Sequence, residues 1–568
     1  MASEAISNAG SNSPWGAAWW AETHAVENMP PPLEDYNLFT SDTALREAVP
    51  REGASWAEEE LTAFGQQVGL PEYIALGFQA NENRPQFFSH SSEGERIDEV
   101  RYHPAYHRLM QISIENGLHS SHWTDPGPGA QVSRAAKFYL QTQVEAGHGC
   151  PITMTSAVIP ALRHQPALFE QWAPKIMART YDPRNRSHAD KNGVTIGMAM
   201  TEKQGGSDVR SNSTIAHPAG YGGSGEAYEL VGHKYFVSAP MSDAFLVLAQ
   251  SPGGLSCFLL PRWRPDGSKN AIQIQRLKDK MGNVSNASSE VELRGALAWM
   301  VGEEGRGVRT IIDMVAMTRF DCMVGSSAGM RQAVAQITYY CTRREAFGKD
   351  LSNQPLMQNV LADLTIEQEA ALVLTMRIAR ALDHRDEEAE NLLVRIGTSV
   401  GKYWICKRTP GHAYEAMECI GGSGVMEERI MPRLFRESPV NAIWEGSGNI
   451  QCLDMLRAMN REAGSLDAFL AEVERGRGGD RRLDHFIDSL SGDFRDTETV
   501  EYRARRVIEK MALALQGSLL VQFADNAVAD GFCASRLTDG NSGWLYGSLP
   551  VGVDCKAIIG RALPKKSS

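Results

Sequence analysis

The sequence predicts an α+β protein in which a central antiparallel β domain separates helical regions. Apolar residues recur at helical spacing before about residue 190, and again in long Met- and Ala-rich stretches after residue 307. Between them lie short β-type runs separated by Gly, Pro, Asn and Ser. Strands that are segregated from helices along a chain favour the α+β class over a doubly wound sheet. We therefore predict five regions: a flexible leader (1–32), an N-terminal helical domain (33–190), a β domain (191–302), a helical bundle (303–455) and an appended helical region (456–568).

The individual elements follow from local signals. Ser55-Trp-Ala-Glu58 has the spacing of a helix capping box, and Leu61, Phe64 and Val68 continue an apolar stripe at helical intervals. The predicted strands are 195–200, 228–238, 245–249, 257–260, 272–277 and 291–293. The predicted long helices are 308–344, 354–384 and 391–408, followed by Gly-rich turns at 421–424 and 446–448.

Composition excludes several classes of protein. The 568 residues are 42% hydrophobic and 22% charged, a globular profile that excludes general disorder. The sequence has no run of about 18 uninterrupted apolar residues, so we predict no membrane span. With 57 basic and 69 acidic residues, the net charge of −12 argues against a uniformly basic nucleic-acid binder.

Cysteine spacing and the termini indicate the compartment. The nine cysteines are scattered without a Cys-x-x-Cys pair, which is typical of reduced thiols in the cytoplasm. His103 and His107 are separated by Pro104 and lack a third ligand, so we predict no metal site. The leader has no basic start and residues 564–568 are not a Ser-Lys-Leu ending, so we expect a cytoplasmic location.

Two motifs at the ends of predicted strands suit a planar or anionic ligand. Residues 199–208 turn through two glycines, whose backbone N–H groups can approach an anion, and Thr201 and Ser207 add hydroxyl donors. Further along, Phe236 precedes the hydroxyl of Ser238, a pair that can stack on a ring and hydrogen-bond its edge. A polar hairpin loop and a core aromatic side chain are the alternative interpretations of each motif taken alone.

Three further motifs lie in the helical half. Arg344 can hold a phosphate bidentately, or can be a solvated helix end. Residues 418–428 place a Gly-rich turn after a helix and not after a strand, which excludes a Rossmann fingerprint. Glu445 lies beside Trp444, where desolvation would raise the carboxyl pKa toward that of a general base. A surface glutamate in a turn is the alternative.

The order and spacing of these motifs resemble the acyl-CoA dehydrogenase flavoprotein family over residues 40–455. Residues 199–211 and 418–437 fit the two signatures of that family. The AidB-type, alkylation-response branch is a closer match, because of the long chain with its C-terminal region and the stretches 200–209, 277–280, 285–287 and 443–450.

The resemblance implies an N-terminal helical domain, a β domain and a C-terminal four-helix bundle, assembled as a homotetramer. It also implies FAD, bound between the β domain and the bundle, with the adenosine half reaching a neighbouring subunit. The implied cofactor-binding residues are Met200, Thr201, Ser207, Phe236, Ser238, Arg344, Phe347, Gln354, Gly421, Gly422, Ser447 and Asn449. Of these, Thr201 would bond the flavin pyrimidine, Ser238 would lie near N5, and Arg344 would hold the neighbour's pyrophosphate.

The resemblance also implies a dehydrogenase reaction. Glu445 matches the usual catalytic base, which removes the α proton of an acyl-CoA thioester while a β hydride passes to flavin N5. Isovaleryl-type enzymes carry their base near Arg319, where this chain has Thr318, so we assign the base to Glu445. Arg319 is then expected near the substrate.

Two other hypotheses remain open at this point. The same branch suggests a flavin-bearing, DNA-associated alkylation-response protein with only residual dehydrogenase activity. Duplex DNA would bind through residues 456–568, which hold 16 basic and 16 acidic residues. The interleaved acids favour a solvated surface as the interpretation of each basic cluster taken alone. A third hypothesis is reaction with O2, as in nitroalkane-oxidase-like flavoenzymes.

Overall fold

The chain runs from helices to strands and back to helices, which confirms the predicted α+β class. The computed structural model describes residues 23–495, 498–538 and 545–564. Most of the predicted leader, residues 1–22, therefore lies outside the described residues. Residues 23–29 are exposed and have no regular structure.

The N-terminal part is helical except for one hairpin. Its helices are α1 (Thr43–Arg51), α2 (Glu58–Val68), α3 (Pro71–Glu82), α4 (Pro104–Glu115), α5 (Ser121–Thr124), α6 (Ala130–Thr142), α7 (Gly149–Leu162) and α8 (Pro166–Ile176). Strands β1 (Gln86–His90) and β2 (Arg96–Arg101) pair antiparallel and correct the prediction of a purely helical region. Most of their residues are partly or fully exposed, so no clear apolar alternation marks them in the sequence.

The predicted capping box is wrong, although the helix after it forms as expected. Ser55 begins a 3₁₀ turn, and α2 starts after Ala57 without a side-chain cap. Leu61, Phe64 and Val68 are nonetheless buried on one face of α2. The apolar stripe therefore determines this helix, and its cap does not.

The β domain has seven strands. These are β3 (Ile196–Ala199), β4 (Ile215–Pro218), β5 (Ala227–Ser238), β6 (Ala244–Ser251), β7 (Gly254–Pro261), β8 (Ile272–Leu277) and β9 (Ser288–Val301). The sequence analysis predicts all of them except β4, which is short, largely exposed and ends at Pro218.

The strand pairings close on themselves. In the order β6-β4-β5-β9-β7 each strand pairs with the next, and β7 pairs back to β6, while β3 and β8 add to β6 and β9. Closure leaves few free edges and encloses an apolar interior that includes Tyr228, Phe245 and Phe258. The pairing of β3 with β6 is parallel, as is the short contact of β4 with β6, so the sheet is mixed and not wholly antiparallel.

Three long helices form the centre of the next part, α9 (Gly307–Cys341), α10 (Pro355–Asp383) and α11 (Glu388–Cys419). The two-residue strands β10 (Glu345–Ala346) and β11 (Lys349–Asp350) lie between α9 and α10, and α12 (Ile430–Glu437) and α13 (Gly448–Arg461) follow α11. Helices α9, α10 and α11 pack on one another, and α13 packs on α11. Helix α9 is hydrophobic or small on most sides and is largely buried along its length.

The region after residue 456 is part of the same core. Its helices are α14 (Ser465–Glu474), α15 (Arg481–Arg495), α16 (Val500–Phe523), α17 (Asn526–Arg536) and α18 (Cys555–Ala562). Their buried side chains, such as Phe469, Leu515 and Phe532, belong to one apolar cluster with the bundle and the N-terminal helices. No helix of the described ranges combines the length and apolarity needed to cross a bilayer.

Arginine side chains also connect this region to the rest of the chain. Arg331 of α9 donates to the carbonyl oxygens of Ser41 (2.7 Å) and Ala562 (3.0 Å). Arg377 of α10 pairs with Glu390 and with Glu472 of α14. Residues that look appended in the sequence thus cover the outer faces of α10 and α11.

This packing predicts that core truncation in the C-terminal region destabilises the whole helical part. Phe532 is 1% exposed in α17, so Phe532→Ala should lower the free energy of unfolding by about 3–5 kcal/mol in urea titration. Tyr502→Ala is the control, because Tyr502 is 95% exposed and should change stability by less than about 0.5 kcal/mol. Equal stabilities of the two variants would mean that the region is a separate, loosely attached unit.

Candidate functional site

Glu445 lies on a tight turn that two buried cations hold through its carbonyl oxygens. Lys402 of α11 is 1% exposed, and its Nζ donates to the carbonyls of Trp444 (2.8 Å) and Gly446 (2.7 Å). Arg319 of α9 donates through Nε to the carbonyl of Glu445 itself (2.8 Å). We call residues 444–446 the clamped turn.

The clamped turn has a left-handed backbone. Glu445 has φ of +57°, a conformation that a residue with a Cβ adopts at a cost of about 1–3 kcal/mol. Gln451 of α13 adds donors to the carbonyls of Glu445 (3.2 Å) and Gly446 (2.9 Å), so three helices together stabilise this conformation. All three carbonyls are engaged, whereas the N–H of Glu445 has no acceptor within the described residues.

The carboxylate of Glu445 is partly buried and has one direct partner. Thr318 Oγ1 donates to Glu445 Oε2 at 2.9 Å. Burial raises the pKa of Glu445 above its usual value, and the Thr318 hydrogen bond and the charges of Lys402 and Arg319 act in the opposite direction. The sequence analysis named Thr318 only as the position where a different base is missing, and the structure gives it a partner role.

Arg319 is fixed by a polar network as well as by the clamped turn. Its Nη1 lies 2.9 Å from Asp454 of α13, and Asp454 also accepts from Arg395 and Ser399 of α11. These cations hold the pKa of Asp454 below its usual value. The guanidinium of Arg319 is therefore occupied by protein groups, and its predicted contact with substrate stays a prediction.

The end of β5 presents the predicted ring-binding pair. Phe236 is 44% exposed, and Ser238 two residues later lies on the same face of the strand. Ser238 Oγ is 2.8 Å from Ser288 Oγ on β9, its cross-strand partner. Lys278 Nζ lies 4.3 Å from the centre of the Phe236 ring.

The turn after β3 lies beside β5, as its motif predicts. The carbonyl of Met200 accepts from Asn212 Nδ2 (2.9 Å), and that of Thr201 accepts from the Tyr235 N–H (2.8 Å). A Cβ at Gly206 would stand 2.7 Å from Thr201 Oγ1, so the glycine keeps the hydroxyl accessible. Ser207 is exposed at the end of the same turn.

Three further polar residues, Cys150, Lys280 and Asn286, lie near the end of β5, and the sequence pattern assigns them no role. The Cys150 thiol at the start of α7 interacts electrostatically with Glu445 and with Lys280, and has Ser238 and Asn286 as polar neighbours. Burial raises the pKa of this thiol to about 11. Lys280 and Asn286 belong to stretches that supported the family resemblance, but a single sequence gives no sign that they face the site.

Five of the remaining predicted cofactor residues lie far from Glu445. Arg344, Phe347 and Gln354 follow the C-terminal end of α9, and the Gly421–Gly422 turn lies beside them at the end of α11, where Cys341 Sγ contacts the Cys419 carbonyl. From Arg319 to the end of α9 the helix rises about 33 Å. The two sets therefore form separate half-sites within one chain.

We call the set far from Glu445 the distal half-site. It is exposed, and some of its polar groups form hydrogen bonds within the same chain. Phe347 is 97% exposed with φ of +53°, and Gln354 Nε2 donates to the Ala346 carbonyl (2.9 Å). Arg344 donates to the carbonyl of Asn28, and the Asn28 amide pairs with Glu345 (2.7 and 2.9 Å). Neither Gly421 nor Gly422 has a neighbour within reach of an added Cβ, which leaves this turn open.

Ser447 and Asn449 lie at the start of α13, directly after the clamped turn. Ser447 is the N-cap residue of α13. Asn449 Oδ1 accepts from Arg505 Nε of α16 at 2.9 Å. A residue of the C-terminal region thus reaches a predicted cofactor position.

Many basic side chains of residues 456–568, the region through which duplex DNA would bind under the alternative hypothesis, are paired with acids. Arg477 pairs with Glu474 and Asp488, and Arg482 pairs with Asp480 and Asp530. Likewise, Arg503 and Lys510 both pair with Asp493. Binding of duplex DNA stays a prediction.

Comparison with protein families matches three consecutive parts of the chain. Residues 28–183 match the "Adaptive response protein AidB N-terminal domain", residues 197–296 the acyl-CoA dehydrogenase middle domain, and residues 305–460 the acyl-CoA dehydrogenase C-terminal domain. These boundaries follow the change from helices to strands and back.

Comparison with individual proteins gives matches over nearly the full length. The chain is 46% identical to the "Putative acyl-CoA dehydrogenase AidB" of Escherichia coli, over 91% of this chain and 95% of the relative. It is 30% identical to "Acyl-CoA dehydrogenase family member 11" of Caenorhabditis elegans, over 86% and 78% of the two chains. The crystal structure of C. elegans ACDH-11 in complex with C11-CoA superimposes with a TM-score of 0.83 at 26% identity, over 93% and 96% of the two chains. The family resemblance is thereby confirmed, and the chain belongs to the acyl-CoA dehydrogenase family of FAD-dependent oxidoreductases, in its AidB-type branch.

Proposed function

We propose that this protein oxidises an acyl thioester, with Glu445 as the base that removes the α proton. The observation that carries the proposal is the clamped turn, in which donors from three helices hold the partly buried Glu445 in a strained backbone conformation. Strained backbone conformations persist only where the surrounding structure stabilises them, and they cluster at functional sites. A relative with a C11-CoA ligand supports the class of substrate.

The residues around the β domain fit a bound flavin. The exposed Phe236 ring offers a flat apolar surface, and the hydroxyls of Thr201, Ser207 and Ser238 offer donors around it. No carboxylate of the described residues forms an ion pair with Lys280, which leaves a positive charge beside this face. Bound FAD supplies the acceptor for the hydride that leaves the β carbon.

The chain itself supplies proton removal and charge stabilisation. Glu445 must be ionised to accept the α proton, and Lys402, Arg319 and Thr318 favour the ionised form against burial. The free N–H of Glu445 is a donor for the thioester oxygen, where negative charge develops as the proton leaves. Both groups belong to one residue, so the clamped turn positions base and donor together.

We further propose that each active site uses two chains of a homotetramer. The distal half-site cannot reach the flavin beside Glu445 of its own chain, because about 33 Å of α9 separates them. At that end of the chain, Phe347, Leu356 (84% exposed) and Val425 (65% exposed) form an exposed apolar surface. Such a surface supports contact with a neighbouring chain of the tetramer. Arg344 would then contact the cofactor of a neighbouring chain.

Replacing the base tests the reaction directly. Glu445→Gln keeps the shape of the side chain but cannot accept a proton, so flavin reduction by acyl-CoA should slow by about 10²–10⁴-fold. The measurement is anaerobic bleaching of the bound flavin against a panel of acyl-CoAs. The variant should retain its yellow colour. Bleaching at the parent rate would rule out Glu445 as the base.

Lys402→Met should shift the pH dependence of the same step. Glu445 acts in its deprotonated form and burial raises its pKa, so the rate falls as the pH drops through an inflection above the usual glutamate pKa of about 4.3. Lys402 lowers that pKa, so its removal should move the inflection to higher pH and slow the reaction. Lys556→Met, at an exposed position of α18, is the control and should leave the inflection in place.

Mixing two inactive variants tests the shared site. Tetramers assembled from Glu445→Gln and Arg344→Ala chains should regain activity, because some sites then combine an intact Glu445 with an intact Arg344 of another chain. Mixing Glu445→Gln with Arg319→Met is the control and should restore nothing, since both residues act in the same chain. Absence of recovery in the first mixture would contradict a shared site.

A further inference from the structure

Lys280 carries a partly buried charge that the proposed reaction does not use. The residue follows β8, and its Nζ donates to the carbonyl of Asn286 (2.7 Å) and to Ser288 Oγ (3.1 Å). Desolvation lowers its pKa to about 8, so the ammonium is still charged at neutral pH. No carboxylate within the described ranges forms an ion pair with it, although a desolvated charge without an ionic partner is costly.

The carboxylate of Glu145 interacts electrostatically with Lys280, but it already has hydrogen-bond donors of its own. Glu145 accepts from the N–H groups of Gly147 (3.0 Å) and His148 (2.9 Å), from His148 Nδ1 (2.6 Å) and from Ser285 Oγ (2.8 Å). Glu145 therefore has donors of its own and makes no contact with the Lys280 ammonium. The positive charge of Lys280 remains available to act on its other neighbours.

The hydrogen bond from Lys280 to Ser288 favours a relay that ends at Ser238. An ammonium group only donates, so Ser288 Oγ accepts from Lys280. The single proton of Ser288 is then free to be donated to Ser238 Oγ, 2.8 Å away across the β5–β9 pair. Ser238 in turn keeps its own proton for a third group on the exposed face that it shares with Phe236.

Among the described residues, the Cys150 thiol is the group that could accept the Ser238 proton in a hydrogen bond, and it is a poor acceptor. The Cys150 thiol is the polar neighbour on that side, and a thiol sulfur accepts hydrogen bonds weakly. A ring nitrogen or carbonyl of a bound ligand would be a much better acceptor.

We propose that Lys280 is a positioning residue that, through Ser288, makes Ser238 a hydrogen-bond donor to the electron-accepting edge of the bound cofactor. The inference rests on the proposed flavin site. A polarised donor and a nearby positive charge both favour uptake of electron density at that edge. Lys280 thus raises the reduction potential of the cofactor without touching substrate.

The test is the two-electron midpoint potential of the FAD-loaded protein, measured by anaerobic titration against a reference dye. Lys280→Met should move the potential to a more negative value, by at least a tenfold change in the reduction equilibrium constant, or about 30 mV. Lys280→Arg keeps the charge and the donors, so it should restore most of the parent value. Asp279→Asn, a change of charge of the same size but opposite sign at the exposed neighbouring residue, should leave the potential unchanged.

Ser288→Ala separates the relay from the charge. It leaves Lys280 in place but removes the link to Ser238, so the potential should again become more negative, by less than in Lys280→Met. If Lys280→Met does not retain FAD, this variant decides the question. A yellow parent whose Ser288→Ala variant keeps the parent potential would overturn the relay alone. A parent protein that takes up no FAD would overturn the proposed function and the relay with it.

Discussion

The strained turn at Glu445 is the constraint on which the site depends. A residue with a Cβ at φ of +57° persists only if its surroundings define that conformation, and here the carbonyls on and beside Glu445 are held by Lys402, Arg319 and Gln451. These donors come from α11, α9 and α13, so the geometry of the turn depends on how the three helices pack in the bundle. A shift of any one of these helices would break hydrogen bonds to the turn and leave its carbonyl oxygens without donors. It would also move the Glu445 carboxylate away from Thr318.

The same packing explains why the C-terminal region is part of the enzyme and not an attachment. Helices α14 and α16 cover α11, the helix that carries Lys402, while α17 and α18 cover α10. Arg505 of α16 reaches Asn449 at the start of α13, one turn after Glu445. The region therefore stabilises the bundle from outside and contributes to the surroundings of the clamped turn. Its paired arginines are in keeping with this structural role.

Much of the fold follows from sequence patterns, whereas the polar contacts of the site do not. The long helices and most strands were predictable because burial imposes their periodicities over many residues. Strands β1, β2 and β4 are short and exposed, so no periodicity marks them. Glu445, Ser238 and Arg344 were predicted as site residues from local motifs. Thr318, Lys402 and Lys280 reach the site from distant segments, and only the folded chain brings them beside Glu445 and Ser238.

Buried lysines illustrate how the structural and functional polar groups can be told apart. Lys137, Lys191 and Lys234 end on the carboxylates of Glu60, Asp243 and Glu202, so each buried charge is neutralised by a pair. Lys402 ends on carbonyl oxygens of the clamped turn, and Lys280 ends on a carbonyl and on the hydroxyl of Ser288, the partner of Ser238. No carboxylate of the described residues forms an ion pair with either lysine, so both positive charges can act on negative charge that forms nearby. The proposed proton removal and hydride acceptance would generate such charge, which is a physical reason to retain two cations of this kind there.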